Sequence, residues 1–111
     1  MDDEIIFCNA LRYHLTQRGY RVESCTSFHD FQKNINLWQF DLVLLDLNLK
    51  DIKGLDFLQI IIGIRPGLKV IILSAYLDHR NIVKAKELGA YECISKNSQM
   101  FQVLDQIIDA L

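Results

Sequence analysis

The chain has 111 residues, half of them hydrophobic, and its 12 basic and 14 acidic side chains leave a formal net charge of −2. This length fits one domain with a sizeable core, and the balanced charge gives no indication of binding to nucleic acid or an anionic membrane. The sequence has no apolar run of membrane-spanning length and no signal peptide, so we expect a cytoplasmic protein. Cys8, Cys25 and Cys93 lack CxxC or zinc-site spacing and are interpreted as small buried hydrophobic residues in a reducing compartment.

Helix-like and strand-like patterns alternate from the start of the chain. Apolar residues at helical spacing predict a first helix over residues 5–18. Alternating residues predict a strand over residues 20–25, and Ser27 is a suitable N-cap for a helix over residues 28–37. A continuous apolar run then predicts a strand over residues 41–46 that is buried on both faces.

The second half of the chain continues the alternation. Its predicted elements are a helix over residues 55–64, a buried strand over 69–73, a helix that Asp78 caps and that runs to Leu88, a short strand over 91–94, and a helix that Asn97 or Ser98 caps and that runs to about Ala110. Strands that alternate with helices indicate a parallel sheet with helices on both faces, which is the doubly wound α/β class. Such a sheet normally begins with a strand, whereas this pattern begins with a helix.

Side chains whose functional groups can take part in a reaction lie where the predicted strands end. Asp46 ends the first buried strand, Ser74 ends the second, and Lys96 follows the last. Asp2 and Asp3 directly precede the first helix. Because the carboxyl ends of parallel strands meet at one edge of a sheet, we expect these groups to converge. Each residue alone is as readily a surface charge, a strand-end hydroxyl or a solvated turn, whereas their common position at strand ends is specific.

The chemistry of this set is that of phosphoryl transfer. Clustered carboxylates suit Mg²⁺, which prefers oxygen ligands. A carboxylate can also act as a nucleophile toward a phosphoryl group, while a hydroxyl and an ammonium bind its oxygens. The sequence therefore predicts an acceptor carboxylate, Asp46, at a phosphate-binding edge of the sheet.

These motifs resemble the receiver domain of bacterial two-component response regulators, and the similarity covers almost the whole chain. The segments that carry it are Asp2-Asp3-Glu4, residues 44–49 around Asp46, Ile72-Leu73-Ser74-Ala75 and Ile94-Ser95-Lys96. The resemblance implies a flavodoxin/CheY-like three-layer sandwich with five parallel strands in the order 2-1-3-4-5. It implies a phosphorylation-dependent signalling switch and not an enzyme.

The resemblance also implies a role for each site residue. Asp46 would accept the phosphoryl group from a sensor histidine kinase, and Ser74 and Lys96 would bind the phosphoryl oxygens. The implied Mg²⁺ ligands are Asp2, Asp3, Asp46 and the backbone carbonyl of Asn48. Further implied partners are a second copy, bound through the last two helices and the last strand, or an output domain beyond the C-terminus. We expect this domain itself to bind neither nucleic acid nor membrane.

The sequence departs from the family pattern at two places that bear on function. The opening strand of the family is absent before Asp2, so residues 1–111 are interpreted as a receiver domain without it, and we expect sequence preceding Met1 to supply it. Cys93 stands where receivers usually carry an aromatic switch residue. An alternative is therefore a degenerate receiver that acts as a phosphorylation-independent interaction module. An aspartyl phosphohydrolase is disfavoured because Asn48 occupies the position of its general acid.

Overall fold

The computed structural model describes residues 5–25, 27–47, 52–75 and 77–111. Its elements in chain order are α1 (Ile5–Gln17), α2 (Phe28–Asn34), a 3-10 helix (Leu37–Gln39), β1 (Leu42–Asp46), α3 (Gly54–Ile64), β2 (Lys69–Ser74), α4 (His79–Glu87), β3 (Glu92–Ser95) and α5 (Met100–Asp109). Helices and strands alternate from β1 onward, which is the pattern that the sequence predicts for this part of the chain.

The three described strands form one parallel sheet in the order β1-β2-β3. In the register, Asp46 of β1 lies opposite Leu73 of β2, and Ser74 lies opposite Ser95 of β3. Parallel neighbours need a crossover connection, which α3 and α4 provide here. The carboxyl ends of all three strands consequently lie level at one edge of the sheet.

Alternate side chains of the strands enter two separate cores. The first contains Val43, Leu45, Val70 and Ile72 of the sheet together with Phe31 of α2, Phe57, Leu58 and Ile61 of α3, and Ala85 of α4. The second contains Ile71, Leu73 and Ile94 of the sheet together with Leu11 and Leu15 of α1 and Met100 and Leu104 of α5. Because successive side chains of a strand point to opposite faces, helices cover the sheet on both sides. The doubly wound α/β class predicted from the sequence is confirmed.

The predicted strand over residues 20–25 is wrong. In the described chain these residues belong to neither a helix nor a strand. A cavity of about 340 Å³, lined by Val22, Leu42 and Leu44 among others, separates this segment from β1. A strand is defined by its hydrogen-bonded ladder, so an alternating sequence without an adjacent strand stays irregular. The described sheet accordingly begins at β1.

Two N-caps predicted from the sequence are confirmed, whereas the prediction of Asn97 or Ser98 as the cap of the last helix is wrong because Gln99 precedes α5 there. The Ser27 side chain accepts a hydrogen bond from the backbone N–H of Asp30 at 3.0 Å, and the Asp78 side chain accepts one from Asn81 at 2.7 Å. α2 ends earlier than predicted because Ile35 already has extended backbone angles. Among the described residues, no helix has both the length and the apolar composition that crossing a membrane requires.

Candidate functional site

The centre of the candidate site is a buried ion pair between Asp46 and Lys96. Asp46 is the last residue of β1, and its side chain is 2% exposed. Lys96 directly follows β3, and its Nζ lies 2.8 Å from Asp46 Oδ2 with 9% of the side chain exposed. The sequence separates these two residues by 50 positions, so the sheet topology brings them together.

Burial of this ion pair carries a large cost in desolvation free energy. Removing a carboxylate and an ammonium from water costs several kcal/mol for each ion, and their mutual attraction roughly offsets that cost only when the geometry is good. A pair of apolar residues in the same space would stabilise the sheet about as well. The charges of Asp46 and Lys96 are therefore better explained by chemistry at the sheet edge than by stability.

Ser74 lies at the adjoining strand end. It is the last residue of β2 and is 1% exposed. Its carbonyl accepts a hydrogen bond from the backbone N–H of Lys96 at 2.8 Å, which fixes the point where the chain leaves β3. The ends of β1, β2 and β3 thus carry Asp46, Ser74 and Lys96 side by side in space.

Three of the predicted site residues lie outside the described chain. They are Asp2, Asp3 and Asn48, so the structure describes Asp46 but not the other implied metal ligands. Within the described ranges, no cluster of three or more His, Cys, Asp or Glu residues could hold a metal ion. The Asp46 carboxylate itself is a hard oxygen donor of the kind that Mg²⁺ prefers.

Gly54 fixes the segment that follows Asp46, through a contact that the sequence did not predict. The backbone N–H of Gly54 donates to the Leu47 carbonyl at 3.1 Å. A Cβ atom on Gly54 would lie 2.4 Å from the Leu47 Cα, closer than any side chain tolerates. Glycine is therefore required where α3 begins against Leu47, the residue next to Asp46.

An aromatic ring also contacts the ion pair, which no motif in the sequence predicted. The Nζ of Lys96 lies 4.3 Å from the centroid of the Phe7 ring, within the range of a cation–π interaction. Phe7 belongs to α1 and packs against the second core with Leu11. The only signal in the sequence is that the first turn of the helical stripe carries an aromatic residue, with nothing to indicate its contact with Lys96.

Cys93 occupies the middle of β3, three residues before Lys96. Its side chain is half-buried, lies opposite Ile72 in the register, and packs against the first core. Burial raises the pKa of the Cys93 thiol because desolvation disfavours the thiolate. At neutral pH the position therefore carries a neutral, compact side chain and not a ring.

Comparison with known proteins identifies the class. A family model described as the response regulator receiver domain matches residues 1–108. The transcriptional regulatory protein KdpE of Mycobacterium tuberculosis is 35% identical over 109 residues, which cover 96% of this chain and 47% of KdpE. The chain belongs to the family of response regulator receiver domains, which are signalling domains of two-component systems.

Solved structures confirm the fold. The non-phosphorylated receiver domain of HemR from Leptospira biflexa is 29% identical with a TM-score of 0.89, and the match covers 97% of this chain and 87% of that one. The BeF3-activated receiver domain of DrrB, a Thermotoga maritima protein, is 26% identical with a TM-score of 0.85, covering 97% and 90%. These neighbours confirm the flavodoxin-like, CheY-like α/β fold expected from the sequence.

The match to complete regulators is partial. The chain spans less than half of the curated relatives that it matches, from 22% of the transcriptional regulatory protein ZraR of Salmonella typhimurium to 47% of KdpE. The similarity therefore concerns the receiver domain of those proteins.

Proposed function

We propose that this domain is a phosphoacceptor switch in which Asp46 receives a phosphoryl group from a sensor histidine kinase with Mg²⁺ as cofactor. The observation that carries the proposal is the buried contact between Lys96 Nζ and Asp46 Oδ2, 2.8 Å long, at the carboxyl edge of the sheet. Ligand sites of open α/β sheets lie at that edge. Membership of the receiver family supports the same conclusion.

The transfer would proceed by nucleophilic attack of an Asp46 carboxylate oxygen on phosphorus. The phosphorus–nitrogen bond of the donor phosphohistidine breaks, its electron pair stays on the imidazole nitrogen, and an acyl phosphate forms on Asp46. Lys96 would then exchange its contact with the carboxylate for one with a phosphoryl oxygen. The Ser74 hydroxyl would donate a hydrogen bond to another phosphoryl oxygen.

The proposed metal ligands are Asp46 together with Asp2, Asp3 and the Asn48 carbonyl. When bound, Mg²⁺ would supply positive charge to the phosphoryl oxygens. Lys96 Nζ lies 2.8 Å from Asp46 Oδ2, so the Lys96 ammonium would provide part of that compensation. We expect EDTA to abolish phosphoryl uptake and added Mg²⁺ to restore it.

The test is phosphorylation by acetyl phosphate and Mg²⁺, followed by intact mass spectrometry. We expect the wild-type chain to gain one phosphoryl group and Asp46→Asn to gain none. Asp41→Asn is the matched control, because Asp41 is an exposed carboxylate just before the same strand. We expect that control to behave like the wild type. Equal uptake by Asp46→Asn, or no uptake by the wild type, would reject the proposal.

The alternative is a phosphorylation-independent interaction module. It is favoured by Cys93 at the usual aromatic position, whereas the retained Asp46, Ser74 and Lys96 speak against it. The two functions differ in their response to beryllofluoride, with which the related DrrB receiver was solved in an activated form. A switch should bind Mg²⁺ and beryllofluoride and change its amide NMR spectrum around Asp46, whereas the interaction module should do neither.

The proposed partners follow from the family and the relatives. We infer that a histidine kinase donates the phosphoryl group and that an output domain lies outside residues 1–111, since the relatives KdpE and ZraR carry the name of transcriptional regulatory proteins. A second copy would bind through α4, β3 and α5. Light scattering with and without beryllofluoride tests this, and an unchanged monomer mass in both conditions would contradict dimerisation.

A further inference from the structure

The environment of Lys96 contains an aromatic ring whose contribution is separate from the carboxylate. The same Nζ lies 2.8 Å from Asp46 Oδ2 and 4.3 Å from the centroid of the Phe7 ring. Two other cation–π contacts in the described chain are longer: 5.4 Å for Arg65 over Trp38 and 5.9 Å for Lys69 over Tyr91. Trp38 and Tyr91 are exposed, whereas Phe7 is half-buried and the Lys96 side chain is almost wholly withdrawn from water.

This arrangement suits a cation that must change partners. An aromatic face attracts an ammonium through its quadrupole and does so without fixing a single direction, unlike a hydrogen-bond acceptor. A buried ammonium that leaves a carboxylate would otherwise lose compensation for its desolvation. The Phe7 ring can stay in contact with Lys96 while the N–H groups of Lys96 turn from Asp46 to an incoming phosphoryl oxygen.

The position of the ring is fixed by the packing of α1. Phe7, Leu11 and Leu15 follow the helical spacing of i, i+4 and i+8, and all three pack in the second core. That core also contains Ile94 of β3, two residues before Lys96. Phe7 and the strand that leads to Lys96 therefore belong to the same packed layer of the fold.

We propose that Phe7 is a positioning residue for Lys96, holding the ammonium beside the acceptor so that it can meet the transferred phosphoryl group. The inference rests on the proposed function and adds a residue of α1 to the site. An aliphatic side chain at this position would fill the space without attracting the charge. Loss of the ring face should thus slow phosphoryl uptake even where the fold is intact.

The first measurement is the rate of phosphorylation by acetyl phosphate in Mg²⁺ for a series of variants. We expect Phe7→Leu to slow uptake about 3- to 30-fold and Phe7→Tyr, which keeps an aromatic face, to stay within about 2-fold of the wild type. Phe101→Leu is the matched control, because Phe101 packs in the same core but stacks on His14 at 4.6 Å. We expect that variant to react at the wild-type rate while losing comparable stability.

The second measurement is NMR of the Lys96 ε-methylene group, assigned by its loss in Lys96→Arg. The face of an aromatic ring shifts nearby protons upfield, so the shift should be present in the wild type and in Phe7→Tyr and absent in Phe7→Leu. If the wild type is phosphorylated but Phe7→Leu reacts equally fast, the role of Phe7 is refuted and the proposed function is not. The same holds if the wild type is phosphorylated but shows no upfield shift. A wild type that takes up no phosphoryl group overturns the proposed function, and the role of Phe7 falls with it.

Discussion

The two edges of β1 differ in what lies next to them. On one side β1 pairs with β2 through all five of its residues, from Leu42 opposite Lys69 to Asp46 opposite Leu73. On the other side lies a cavity of about 340 Å³, and beyond it residues 20–25 adopt no regular structure in the described chain. Both segments have strand-like sequences, so the comparison shows that the ladder partner, more than the local pattern, decides which segment becomes a strand.

Hydrogen exchange should give the largest contrast. β2 lies between two strands, so we expect its backbone amides to exchange only through global unfolding. Their free energy of opening should then approach the global free energy of unfolding, about 5–15 kcal/mol. Residues 21–24 lie in no helix or strand of the described chain and should exchange orders of magnitude faster. Amide exchange followed by NMR measures both in one sample. Similar protection in the two segments would show that the contrast across β1 is absent in solution.

Two neighbouring leucines of β1, one buried in the first core and one lining the cavity, should differ in how much they contribute to the free energy of unfolding. Leu45 is fully buried in the first core, and we expect Leu45→Ala to lower the free energy of unfolding by about 2–5 kcal/mol because it leaves a new cavity. Leu44 is partly exposed and already lines the existing cavity, so Leu44→Ala should cost about 1–2 kcal/mol. Urea denaturation measures the difference. Equal losses would contradict the proposed asymmetry.

A pair of glycines in α3 should change stability in opposite directions. A Cβ at Gly54 would lie 2.4 Å from the backbone of Leu47, so we expect Gly54→Ala to destabilise by about 1–3 kcal/mol and to slow phosphorylation of the neighbouring Asp46. A Cβ added at Gly63 would meet no neighbouring atom within 4 Å, and Gly63→Ala should stabilise the helix by about 0.5–1 kcal/mol. Thermal unfolding of both variants checks the signs, and a neutral Gly54→Ala would refute the close approach.

The smallest expected effect is the pH dependence at Cys93. Since burial raises the pKa of its thiol above the ordinary value for cysteine, the folded state holds the thiol proton more tightly than the unfolded state. The corresponding stabilisation is complete below the unfolded pKa and is lost as pH rises through the folded pKa. Alkylation of Cys93 by iodoacetamide at mildly alkaline pH should therefore be slower in the folded protein than in urea. Stability of Cys93→Ser should lack that alkaline dependence, and equal alkylation rates would contradict the raised pKa.

The sequence predicted most of what depends on local pattern. The strands that became β1 and β2 were recognised from their apolar runs, and the caps Ser27 and Asp78 from their side chains. The third strand was found within a residue of its bounds because β-branched Ile94 and the preceding turn mark it. These features follow from propensity, burial and capping, which neighbouring residues determine.

The sequence did not predict the features that depend on contacts between residues far apart in the chain. Residues 20–25 have strand-like alternation but no adjacent ladder among the described strands, and alternation cannot reveal that. The contacts of Lys96 with Asp46 and Phe7 span 50 and 89 positions, so only the folded chain shows them. The resemblance to receivers suggested that Asp46 and Lys96 act together, whereas neither spacing nor resemblance pointed to Phe7.

The most direct test of the central claim is chemical identification of the phosphorylated residue. Acetyl phosphate and Mg²⁺ should form an acyl phosphate on Asp46, which borohydride reduces to the alcohol, converting residue 46 to homoserine. Peptide mass spectrometry should then find homoserine at position 46 and at no exposed carboxylate such as Asp41 or Asp56. Homoserine at those exposed positions in place of residue 46, or at no position at all, would contradict a phosphoacceptor site at the end of β1.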